Sequence, residues 1–208
     1  MKQTLEATLT KQNLLPVVEE ELNATQIIDI HTHLYKPSLG AVGLWGIDEL
    51  VTYHYLEAEL FRSNDITPEK YWTLTKREQA DLIWQTLFVE NPPVSEATRG
   101  VIAVLKALDL PTDAQDLSET RKFYANQSLE THINKVFRLA GISEAVMTND
   151  PLDPAEAPLW KNSEPQKMFH AVLRIDRVLE KWADHWQKLQ AEGYQVEEKL
   201  TPATIAEV

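Results

Sequence analysis

Two histidines one residue apart, His31 and His33, close a short apolar run, Ile27-Ile28-Asp29-Ile30. Neutral imidazole is a good ligand for borderline divalent cations. A strand sends alternate side chains to the same face, so His-x-His at its end presents two donors to one cation. Two donors do not complete a coordination sphere, and the others must come from elsewhere. The chain holds 6 histidines in 208 residues, so the spacing alone is a weak signal. Its place at the carboxyl end of an apolar run is a stronger one, because barrels and open α/β sheets bind ligands there. Residues 31 and 33 alone leave a metal site and a merely structural pair evenly matched.

Other groups could join them. His54, Tyr55 and Arg62 fall in a segment where Ile47, Leu50, Val51, His54, Ala58 and Phe61 recur at three and four. That periodicity predicts one helix over 47–62, and by itself it favours an ordinary amphipathic helix with a half-buried His and a surface Arg. Arg174 stands at the carboxyl end of a further apolar run, with His170 and Val172 on the same face by alternation. His170 is there more a core residue than a support for the site. Asn149 and Asp150 sit in a turn signal, and Asp176 is placed to cap a helix. His132 and His185 fall in predicted helices as exposed or half-buried positions.

The elements that must position these groups read in order. A helix is expected from Leu5 to Leu22, broken or restarted at Pro16, and then a buried strand ending at the histidines. Residues 34–46, with one Pro and three Gly, form a loop. Thr67-Pro68 marks a helix start, and Thr75-Lys76-Arg77-Glu78 is a capping box opening a helix to about Glu90. Ser95 opens another to Leu108, stopped by Pro111. Leu117–Ala125 and Leu129–Ala140 follow, with Ser128 as cap and Gly141 as terminator. Glu144–Thr148 and Met168–Ile175 read as short buried strands. Asp176 starts a helix ending at Gly193, and Thr201-Pro202 starts the last. The organisation is residues 1–46 as first helix and strand, 47–141 as a helical insertion, and 142–208 as two strands with their helices. Strand alternating with helix argues for a parallel sheet.

The charge of −12 speaks against nucleic acid, which needs a basic face. No cysteine is present, which removes thiolate chemistry and disulfides. No apolar run reaches the length of a membrane span, and residues 1–25 do not read as a leader, so a cytoplasmic location is expected.

Four landmarks taken together carry a family likeness: His31-Thr32-His33; His54-Tyr55 with Arg62 shortly after; Thr148-Asn149-Asp150-Pro151; and Leu173-Arg174-Ile175-Asp176. In this order the chain resembles the N-terminal half of the uronate isomerases, the glucuronate isomerase family of the amidohydrolase superfamily, from about Ile27 to Gly193. The resemblance implies an α/β fold, a partial (β/α)8 TIM-like barrel with a large helical insertion after its first strand. It implies a divalent metal, usually zinc, on His31 and His33. It also implies isomerisation of D-glucuronate to D-fructuronate and of D-galacturonate to D-tagaturonate. Arg174 would pair with the carboxylate of the sugar acid, and His54, Tyr55 and Arg62 would contact substrate. Asn149, Asp150 and His170 are supporting positions. Departures from the family pattern are Tyr53 and Leu56 flanking the His-Tyr pair, Asn149 in the turn and Ile175 after the Arg. The family's catalytic Asp belongs to a late strand with no counterpart here. An oligomer or a complementary C-terminal half is therefore expected, with little or no turnover by this chain alone. A metal-dependent hydrolase on the same scaffold is the second reading, although it has no special need of Arg174. A non-catalytic helical binding module is the third.

Overall fold

The computed structural model describes residues 9–40, 42–150, 153–161, 167–172, 174 and 176–208. Leu5, Pro151, Leu173 and Ile175, which entered the sequence reading, lie outside the described residues. The fold is mixed α/β: a small parallel sheet with many helices, most of them between its first and second strands.

Helix α1 spans Leu14–Ala24 and holds Pro16 in its first turn, where no backbone donor is needed. Of the break or restart expected at Pro16, the structure has the restart, since the helix begins just before it. The helix starts later than predicted, after a turn in which Asn13 Oδ1 accepts from the Thr10 amide at 2.7 Å. None of its residues is buried. Strand β1, Ile27–Thr32, is also not the buried strand the sequence suggested. Ile28 is 57% and Ile30 78% exposed. Among the described residues β1 pairs on one side only, because the strand order is β1-β2-β3.

A 3-10 turn, Pro37–Leu39, leads to α2, Ile47–Val51, and α3, His54–Ser63. The single helix predicted over 47–62 is thus two. Thr52 Oγ1 turns back to the Asp48 carbonyl at 2.7 Å, and Tyr53 is extended. A hydroxyl that competes for the backbone in this way weakens a helix where it sits. The break makes His54 the first residue of a new helix. Then come α4, Pro68–Tyr71, and α5, Lys76–Trp84, which runs on as a π turn over Gln85–Val89. The capping box at Thr75 and Glu78 forms as the sequence predicted. Helices α6, Glu96–Ala107, and α8, Leu129–Ala140, start at their expected caps, Ser95 and Ser128, and α7, Ser118–Ala125, starts one residue later than expected, without a side-chain cap. α6 ends before Pro111, at the left-handed Asp109. α2–α7 enclose one apolar core built on Ile47, Leu60, Tyr71, Ile83, Trp84, Leu105 and Leu117.

Strand β2, Ile142–Met147, lies parallel to β1 and to β3, Phe169–His170, with a short helix α9, Ala157–Lys161, between. Ile133 and Phe137 of α8 pack against Ala145, Met147 and Phe169. Burying each large side chain of this kind contributes roughly 2 kcal/mol, which ties the helical layer to the sheet that carries the histidines. β3 is shorter than Met168–Ile175: its backbone ladder with β2 stops at His170, and the Asn149 side chain takes both backbone groups of Val172. The predicted last long helix is again two, α10, Asp176–Glu180, and α11, Trp182–Ala191, separated at Lys181. With α12, Pro202–Glu207, they surround a third cluster of Val178, Trp182, Leu189 and Val196. No helix among the described residues is long and apolar enough to cross a membrane.

Candidate active site

The β1–β2 ladder shifts register between Asp29 and Thr32, so β1 carries an extra residue there. The Asp29 carboxylate accepts from the His31 amide at 3.0 Å, satisfying a donor the ladder leaves over. The bulge re-aims the strand end. His31 and His33 then face each other edge to face, with ring centroids 5.4 Å apart.

His33 lies just past β1 and is held at both ring nitrogens. Its Nδ1 is 3.3 Å from Thr148 Oγ1, and its Nε2 is 3.2 Å from the Tyr53 hydroxyl. Thr148, immediately after β2, also gives its hydroxyl proton to the Thr32 carbonyl at 2.8 Å. A hydroxyl has one proton, so toward His33 Thr148 is the acceptor and Nδ1 carries the hydrogen. Nε2 is left with a lone pair, the form in which imidazole binds a cation. Burial holds the His33 pKa below its usual value, and His31, His54 and Arg174 push in the same direction.

The break before α3 brings Tyr53 beside this nitrogen, and a row of neighbouring rings leads outward from it. Tyr53 and His54 have ring centroids 4.2 Å apart, His54 and Tyr55 4.1 Å, and Tyr53 and His33 5.5 Å. Arg174 is close enough to His33 to act on its charge, but its guanidinium is engaged with the Asp176 carboxylate at 3.2 and 3.3 Å. Both side chains are about half exposed, so this pair is weakly held.

The other expected residues separate. Arg62 lines a hollow of about 550 Å³ between α3 and α6, with Tyr55, Glu59 and Glu96, rather than the space beside the histidines. His170 is exposed and paired with Glu144 at 2.6 Å, so it is neither core nor support for Arg174. Asn149 is 1% exposed and binds Val172 through Nδ2, 3.2 Å to the carbonyl, and Oδ1, 3.0 Å from the amide. Asp150 is buried, and its amide donates to Glu156 at 2.7 Å. His132 and His185 are buried, against expectation, because α8 and α11 turn them into their clusters. Tyr53 and Tyr35, whose hydroxyl lies 3.3 Å from Thr148 Oγ1, have no sequence signal that marks them as neighbours of His33.

His31 and His33 fit two corners of a cation site: one ring nitrogen of His33 is fixed by a hydrogen bond and the other offers a lone pair. Among the described residues no group of three or more His, Cys, Asp or Glu is arranged to hold a metal. A complete sphere therefore needs further donors.

No family model and no curated protein matches the chain. Among solved structures, the chain is similar to a uronate isomerase from Bacillus halodurans C-125, with 40% sequence identity and a TM-score of 0.86. The match covers 96% of this chain and 47% of that one, so the chain spans about half the length of this relative. With that identity sustained over nearly its whole length, on a backbone of matching course, the chain belongs to the uronate isomerases.

Proposed function

We propose that the chain supplies one side of a uronate isomerase site, and that the reaction is aldose–ketose isomerisation of D-glucuronate and D-galacturonate. The observation that carries this reading is the ring contact of His31 and His33 at the carboxyl end of a parallel sheet, with His54 and Arg174 near enough to act on the charge of His33. The wider architecture is proposed to be a (β/α)8 barrel, with β1, β2 and β3 as its first strands. The cellular location proposed is the cytoplasm.

His31 and His33 would hold a divalent cation, for which zinc suits two imidazoles. Such a cation supplies Lewis-acid charge to an oxygen of the open-chain sugar. Arg174 binds the substrate carboxylate through its planar fork, taking it in exchange for Asp176. That exchange costs little, because the Arg174–Asp176 pair is half exposed. His54 and Tyr55, at the start of α3, offer polar groups to the sugar hydroxyls. Asn149 holds Val172, two residues before Arg174, against the end of β2. Moving a proton between C2 and C1 needs a base. We assign that base to a complementary half of the barrel, and low turnover to the 208-residue chain alone.

The test measures ketose formation from both uronates. It uses the chain alone and the chain mixed with a polypeptide matching the uncovered part of the Bacillus halodurans relative. Isomerisation by the mixture, lost on His33→Ala and absent from the chain alone, is the expected result. Hydrolysis of esters, lactones or amides without isomerisation would overturn it in favour of the hydrolase reading.

A further inference from the structure

Tyr53 occupies an unusual place. It sits between α2 and α3, and its phenol points at the one nitrogen of His33 that carries a lone pair. We infer that Tyr53 is a displaceable cap on the cation-binding nitrogen of His33, closing that lone pair until a divalent cation takes it. The inference rests on the reading of His31 and His33 as a cation pair.

The direction of the hydrogen bond follows from Thr148. Its hydroxyl proton goes to the Thr32 carbonyl, the shorter of its contacts at 2.8 Å, so it accepts from His33 Nδ1 at 3.3 Å. With the proton on Nδ1, the contact at Nε2 can only be Tyr53 O–H donating to imidazole, at 3.2 Å. A cation and a phenol proton cannot share one lone pair. The cation must therefore break this bond, and its affinity is lowered by whatever the bond is worth.

The cap can open without moving the main chain. The Tyr53 carbonyl accepts from the Leu56 amide at 2.8 Å and from the Glu57 amide at 3.3 Å, so its backbone is fixed by the first turn of α3. Only the side-chain torsions need change. The ring then leaves its contacts with His33 and His54. The site is thus kept in the correct tautomer and closed to weakly binding cations, while a cation with high affinity for imidazole can displace the phenol.

The experiment is a calorimetric titration of the 208-residue chain with zinc chloride, repeated for Tyr53→Phe and for His33→Ala, with folding checked by circular dichroism. Tyr53→Phe is expected to bind zinc about two- to tenfold more tightly, the worth of one net hydrogen bond. His33→Ala is expected to abolish binding. Equal or weaker binding by Tyr53→Phe, with His33 still required, overturns the cap and leaves the cation pair standing. No His33-dependent binding in either protein overturns both. A second measurement needs no variant. Nitrogen-15 chemical shifts of the His33 ring are expected to report a proton on Nδ1 before zinc and a shifted Nε2 after it. A proton found on Nε2 overturns the cap.

Discussion

Replacing Asn149 by Leu tests how the loop bearing Arg174 is held. The two side chains branch alike at Cγ and leucine is the larger, so no cavity is left behind and the two methyl groups add crowding instead. Asn149 is 1% exposed, and its amide group makes two hydrogen bonds to one residue: Nδ2 to the Val172 carbonyl at 3.2 Å and Oδ1 from the Val172 amide at 3.0 Å. It acts as one further rung of the β2–β3 ladder, which otherwise ends at Val146 and His170. Leucine removes both bonds and leaves two part-buried backbone groups without these partners, at about 1–3 kcal/mol each. The added apolar contact returns part of this, so the expected loss is about 2–4 kcal/mol, a large share of the roughly 5–15 kcal/mol of a typical domain. Urea unfolding followed by tryptophan fluorescence measures it. Asn149→Asp keeps the bond from the Val172 amide but sets an oxygen against the carbonyl, and should also be destabilised. A change within about 0.5 kcal/mol for Asn149→Leu would show that the Val172 loop is held by something else.

Other outcomes follow from features already described. Burial, with a smaller push from Lys135, brings His132 down from 6.5 to about 4. Between these values the unfolded chain binds a proton that the folded chain does not, so stability should fall as the pH drops from 6.5 to 4. This group alone accounts for about 3 kcal/mol, and a urea series against pH should flatten in His132→Leu. The Ser128 hydroxyl accepts from the Thr131 amide at 3.1 Å at the start of α8, and Ser128→Ala should cost about 1 kcal/mol in the same unfolding assay. Ile28 and Ile30 are exposed on an edge strand, and their joint replacement by Lys should lower self-association in sedimentation velocity. A monomeric parent chain would refute that expectation.

What could be read in the sequence was local. The caps at Thr67, Thr75, Ser95, Ser128 and Thr201 and the left-handed Gly141 form as expected, because each depends on residues within one turn of itself. The His31–His33 juxtaposition was legible for the same reason. The break at Thr52 and Tyr53 was not, since the hydrophobic repeat runs straight through it and only the Thr52 hydroxyl interrupts the backbone. The short β3 was not, because beyond His170 the backbone of Val172 is met by the side chain of Asn149, 23 positions earlier, rather than by the backbone of β2. Burial of His132 and His185 depends on which neighbours their helices meet, and a single helical repeat does not specify those. Tyr53 was missed as a contact of His33 because its reach depends on that unforeseen break.

Helix α1 buries none of its residues, yet Leu14, Leu15, Val18 and Leu22 line it in contact with solvent. Eleven residues are too few to stay helical in water on propensity alone. The winding of this segment is therefore on loan from whatever comes to rest against it. Its ellipticity and amide protection should track occupancy of that oily strip, making the amino-terminal turns a natural reporter of assembly.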